Sequence, residues 1–182
     1  MDTAVDAYSH ALESYLAVRA TPLSELYARE TLGILGSQLK MLAQDEILDL
    51  NQREALLYGS MLGGMAISTT GTSIPHAMGY YLTYFKGVTH GRANGMIMPA
   101  YMDFNLRKST HPKVMESLRI SGFSSLEQFQ RLMYELCGQV PACSPEEKQR
   151  FIEQTLQAKN LVNNLIAPER EDLEYILEYM LS

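Results

Sequence analysis

Apolar side chains recur along this chain at intervals of three and four residues, and almost nowhere at intervals of two. That period puts them on one stripe of a helix and predicts an all-α, multi-helix bundle with almost no strand. A first helix is predicted over residues 3–18, with Val5, Tyr8, Leu12, Tyr15 and Leu16 on its apolar face and Thr3 as its cap. Pro22 suits the first turn of a long second helix ending near Leu48, and Asn51 caps a third that reaches about Thr70. The third carries Gly59, Ser60, Gly63, Gly64, Ala66 and Ser68. Glycine inside a helix costs about 1 kcal/mol relative to alanine, so the run predicts close approach by another backbone.

Pro75 begins a short helix to about Phe85 that Gly87 ends, and His90-Gly91 begins another reaching Ala100 or Asn105, kinked at Pro99. Shorter helices follow over residues 111–120, 125–137, 145–158 and 169–181. Ser124 with Glu127, and Ser144 with Glu147, have the spacing of capping boxes.

Composition narrows the class. With 182 residues, 46% hydrophobic and 20% charged, the chain is the size of one ordinary domain that can bury a core, which excludes a large multidomain enzyme and a disordered protein. Its net charge of −6, with basic residues scattered, points away from nucleic acid and anionic membrane as partners. The most apolar window, residues 55–67, holds Tyr58, Ser60 and three glycines and falls short of the roughly 20 apolar residues that span a bilayer. No basic segment leading into an apolar stretch opens the chain, so no secretory signal is expected. Cys137 and Cys143 are too few for a disulfide framework or zinc ribbon, and a reduced, cytoplasmic setting is the expectation. A strand, glycine-rich turn and helix in succession is missing, so the chain has no visible dinucleotide cradle of its own.

The candidate chemistry lies in a few polar residues. Asp6 and His10, four apart on a helix, stack on one face, which suits a surface pair, a buried hydrogen bond or half of a metal site. His76 and His90 sit at two predicted helix starts, where each also suits a core histidine with one backbone partner. Together, one carboxylate and three neutral imidazoles make a mixed oxygen and nitrogen set suited to Fe(II) or Zn(II). Such an ion should be lost as the histidines protonate below roughly pH 6. Asn94 is either a buried structural amide or a group that orients a ligand or cofactor, and His111, before Pro112, is expected to be a surface helix-cap residue. Tyr8, Met78, Tyr80, Tyr81, Tyr84 and Phe85 are expected in the core or lining a cleft.

The segment Thr3 to Tyr15, with its Asp6-Ala7, His10-Ala11, Glu13 and Tyr15, resembles the "DAxxHAxExY" signature of the iron-containing (group III) alcohol dehydrogenases. Pro75-His76-Ala77-Met78-Gly79, His90-Gly91 through Asn94 to Pro99, and Phe104-Asn105 are similar to that family's "HAMxH…HGxxNAxxxP…FN" region. The likeness extends from the start to the last helix, and implies a dehydroquinate synthase-like C-terminal helical domain over residues 1–182.

The resemblance implies that Asp6, His10, His76 and His90 hold Fe(II), with Zn(II) possible. It implies an NAD(P)-dependent oxidoreductase that interconverts a small alcohol with its aldehyde or ketone, with the nucleotide-binding N-terminal domain absent from this chain. Tyr80 stands where the family often has a second histidine and is the candidate catalytic position, although a phenol, unlike an imidazole, does not titrate near neutrality. Asn94 is the candidate cofactor contact. Alternatives are the helical half of a glycerol dehydrogenase-like enzyme, a metal-free interaction module, and a homo-oligomer scaffold using the face that a missing domain would leave bare.

Overall fold

Helix-capping and helix-breaking residues divide the chain into successive helices. The computed structural model describes residues 1–44 and 47–182. Among these residues the α-helices are α1 (Asp2–Tyr15), α2 (Pro22–Leu42), α3 (Leu50–Thr70), α4 (Ile74–Lys86), α5 (His90–Lys108), α6 (Lys113–Ile120), α7 (Leu126–Cys137), α8 (Pro145–Leu156) and α9 (Arg170–Leu181). The pairing of β type found among them is an isolated bridge between Ala17 and Asn164. The all-α expectation therefore holds.

Helix α1 is the inner element and packs against α2, α3 and α5, while α4 lies against α5. Its Val5, Tyr8 and Leu12 are at most 1% exposed, and full burial of a large apolar side chain contributes about 1.5–3 kcal/mol. Gly63 admits this packing, because a Cβ there would lie 2.8 Å from the carbonyl oxygen of Ala7 on α1. The close backbone approach expected of the small-residue run thus occurs at Gly63; Gly64 meets nothing within 4 Å.

Several boundaries differ from expectation, each for a local reason. Thr3 lies inside α1, which begins after Met1 and carries Asp2 in its first turn, where a carboxylate complements the N-terminal dipole. The same helix stops at Tyr15 instead of residue 18 because Leu16, Ala17 and Val18 turn to bond the segment at Asn163 to Leu165: Val18 N–H donates to Asn163 at 2.8 Å and Leu165 N–H to Leu16 at 3.0 Å. Helix α2 ends at Leu42, and part of its expected extension, at Asp45 and Glu46, lies outside the described residues. Asp49, not Asn51, caps α3, in a reciprocal box with Gln52.

Ser125, not Ser124, caps α7, with Gln128 reaching back to Ser124. The Ser144 and Glu147 box forms as expected. Gly87, at φ 68°, ends α4 in the left-handed conformation glycine permits. Helix α5 continues through Pro99 to Lys108.

Candidate metal centre

Three helices meet where the chemistry-bearing residues lie. On α1, Asp6, His10 and Glu13 follow at spacings of four and three, which lines them along one face. The first turn of α4 presents His76, and the first residue of α5 is His90, with Asn94 one turn on. Gly91 allows α5 to start so close to α1: a Cβ there would overlap the carbonyl oxygen of Asp2 and lie 2.7 Å from its carbonyl carbon.

Asp6, His76 and His90 each offer one ligand atom, all within 4.8 Å of one another. Nε2 of His76 and Nε2 of His90 each lie 3.6 Å from Oδ1 of Asp6. His10 stands outside that group of three but adjoins it, with Nε2 3.7 Å from Oδ2 of Asp6 and its ring stacked on His76 at 5.0 Å between centroids. All four residues singled out as metal ligands are therefore in one place. His76 is 2% exposed, whereas His90 at 37% and Asp6 at 23% leave the cluster open on one side.

Asn94, expected at the cofactor, has its amide nitrogen inside this cluster, 2.9 Å from Oδ1 of Asp6, 3.2 Å from Nε2 of His76 and 3.4 Å from Nε2 of His90. One NH₂ has two hydrogens to offer three acceptors, and Oδ1 of Asn94 is buried without a partner. A point ringed by more lone pairs than one amide can satisfy is a fitting place for a divalent cation. The donor set of one carboxylate and imidazoles suits Fe(II) or Zn(II). By these tests the residues fit a metal ion.

Electrostatics separate buried His76 from half-buried His10. Burial disfavours the charged ring of His76, but the Glu13 carboxylate, followed by Asp6, outweighs it and holds its pKa above the usual 6.5. Burial dominates at His10, whose pKa is lowered despite the partly offsetting Asp6 charge.

Tyr80 borders the cluster, stacked on His90 at 5.6 Å between centroids and edge-on to His76 at 6.5 Å. It is exposed, and also lines a groove of about 680 Å³ with Ala77, Tyr84, Phe85 and Thr155. His111 is an exposed surface residue, as expected, and its Nδ1 accepts from the N–H of Lys113 at 3.3 Å, but the N-cap of α6 is Pro112. Glu13 is a position of the signature, but the sequence assigned it no role. It is fully buried, with Oε2 3.0 Å from Nδ1 of His76. Its fixed place in the signature, seven residues after Asp6 on the same helix face, was the available signal.

A family model described as "Fe-containing alcohol dehydrogenase family, C-terminal" matches residues 1–181. The probable alcohol dehydrogenase EutG of Escherichia coli (strain K12) is 37% identical over 103 residues, covering 57% of this chain and 26% of that protein. The NAD-dependent methanol dehydrogenase of Bacillus methanolicus is 30% identical over 139 residues, covering 74% of this chain and 36% of its own. A solved iron-containing alcohol dehydrogenase from Thermotoga maritima superposes with a TM-score of 0.86 at 34% identity, over 98% of this chain and 48% of that one. The chain thus spans about half the length of that solved relative, and its alignments cover still less of these two curated ones.

Proposed function

The chain belongs to the iron-containing alcohol dehydrogenase family, and from that premise we propose that it is the metal-binding helical half of an NAD(P)-dependent enzyme interconverting a small alcohol with its aldehyde or ketone. The observation that carries this reading is the convergence of Asp6, His76 and His90 on one point, with His10 beside them. When bound there, a divalent ion supplies Lewis acidity toward the oxygen of an alcohol, favouring its deprotonated form.

The chain's own residues supply the rest of this half. Asp6 is the one carboxylate among the four candidate ligands, and it faces all three imidazoles. Tyr80, stacked on His90 and exposed, walls the open side and offers a phenol hydroxyl for orienting substrate. Among the described residues no helix is long and apolar enough to cross a membrane. Leu57, Met61 and Met65 on α3, and Tyr80, Tyr84 and Phe85 on α4, are exposed and apolar, as expected where another domain packs. The nicotinamide would come from that domain, with substrate held between the two.

Two measurements test the assignment. The purified chain should retain about one divalent ion after dialysis yet show no turnover with NAD(P) and alcohol. Dehydrogenase activity from the chain alone would show that the nucleotide site has been misplaced.

The pH dependence has a definite sign. An ion at Nε2 of His76 competes with a proton, and because that proton is held with a pKa above 6.5, affinity should already fall as pH drops through that region. The onset therefore lies higher than the roughly pH 6 expected of ordinary imidazoles. Titration with Zn(II) from pH 8 downward should show a loss approaching about tenfold per unit once His76 protonates; constant affinity down to pH 6 would refute it.

Stability of the metal-free chain has the opposite dependence at His76. Its paired, protonated form contributes below 6.5, and that contribution is lost as pH rises through the raised pKa. His10, with its lowered pKa, contributes above 6.5 and loses that contribution as pH falls through its folded value.

A further inference from the structure

Glu13 is a fully buried carboxylate whose ion-pair partner is His76. Two backbone N–H groups and one ring nitrogen converge on its two oxygens. Ser73 N–H donates to Oε2 at 3.0 Å, His76 N–H to Oε1 at 3.1 Å, and the His76 ring, through Nδ1, lies 3.1 and 3.0 Å from Oε1 and Oε2. Ser73, at the N-cap of α4, makes no side-chain cap bond, so this carboxylate from α1 serves the first-turn N–H groups of α4 instead.

The chemistry leaves the ring little choice. An ionised carboxylate only accepts, so a neutral imidazole facing it carries its proton on Nδ1 and keeps the lone pair on Nε2. The other side of the ring agrees: Nε2 of His76 lies 3.2 Å from the amide nitrogen of Asn94, a donor, while the acceptor Oδ1 of Asp6 stands beyond hydrogen-bond reach at 3.6 Å.

We propose that Glu13 is the positioning residue of the centre, holding His76 in the Nδ1–H tautomer and joining α1 to the start of α4, so that Nε2 faces the ion. This rests on the metal reading above only in its second experimental arm.

The first arm needs neither metal nor variant. Long-range ¹H–¹⁵N correlation on the metal-free wild-type chain, at a pH where the ring is neutral, should find the His76 proton on Nδ1; finding it on Nε2 overturns the proposal. In Glu13→Gln the amide cannot accept from all three N–H groups, and its NH₂ can donate to Nδ1, so the ring should shift toward the Nε2–H tautomer.

In the second arm, Zn(II) and Co(II) affinities of Glu13→Gln should fall about 10- to 100-fold with stoichiometry unchanged, as outer partners of ligating histidines generally behave. Tyr8→Phe, which removes the buried bond from Tyr8 to Ser121 Oγ at 2.8 Å, serves as the stability control. It should lower Tm while leaving tautomer and affinity as they were. Unchanged affinity in Glu13→Gln, or an equal loss in Tyr8→Phe, counts against Glu13. A wild-type chain that binds no ion defeats the metal reading, while the tautomer still decides the role of Glu13.

Discussion

Asp6→Ala should empty the centre: bound metal is expected to fall from about one ion per chain to less than about a tenth after dialysis. Asp6 faces all three histidines, at 3.6 Å from His76, 3.6 Å from His90 and 3.7 Å from His10. Without it the remaining candidate ligands are neutral imidazoles, and the carboxylate left nearby is Glu13, behind His76 and not among the ligands. Removing an outer partner already costs 10- to 100-fold in affinity, so loss of the carboxylate ligand itself should exceed about 100-fold.

Folding should suffer little from that change, since Asp6 is 23% exposed and removing it leaves the buried His76 ring still paired with Glu13. His90→Ala should empty the centre likewise, whereas His111→Ala, on an exposed side chain, should retain full metal content. Elemental analysis of the four proteins decides it. Wild-type metal content in both Asp6→Ala and His90→Ala would remove the basis of the assignment.

What could be read in advance divides by the range of the interactions. Helix α4 and the start of α5 were legible because Pro75, Gly87 and the His90-Gly91 pair mark them locally, whereas α5 runs past the expected Ala100 or Asn105 to Lys108. The gathering of Asp6, His10, His76 and His90 came from residue-by-residue resemblance, since spacing places only Asp6 with His10. Asn94 is four residues after His90, so both lie on one face of α5, yet its place among three acceptors depends on α1 and α4 as well.

The role of Glu13, though not the residue itself, was hidden for a similar reason: its partner is 63 residues away, and a Glu within a helix ordinarily faces water. The early end of α1 depends on residues near the other terminus, through the bridge from Ala17 to Asn164. The misplaced caps at Asp49 and Ser125 are a different case, in which adjacent polar residues offered equivalent side chains and the backbone entry angle selected one.

Gly91→Ala should be the most damaging single-methyl change near the centre, acting on fold and metal together. The added Cβ would overlap the Asp2 carbonyl oxygen, lie 2.7 Å from its carbonyl carbon and come within 3.1 Å of Cβ of Asp6. Two of those atoms are backbone of α1, a helix buried along most of its length, so they cannot yield as the end of a flexible side chain would. Overpacking costs about 1–3 kcal/mol where side chains can adjust, and about 3 kcal/mol is expected against rigid backbone. For a chain of this length that corresponds to a fall in Tm of roughly 6–12 °C.

Relief requires α5 to move away from α1, which carries His90 from Asp6, so metal affinity should fall along with Tm even though no ligand is altered. Gly64→Ala is the matched control: its Cβ meets nothing within 4 Å, and its place in the interior of α3 means alanine should stabilise by about 0.5–1 kcal/mol. Opposite shifts in Tm for the two alanines, with metal affinity lost only in Gly91→Ala, are the expected pattern. Equal Tm and equal affinity in both would mean that the contact between α1 and α5 does not set the geometry of the centre.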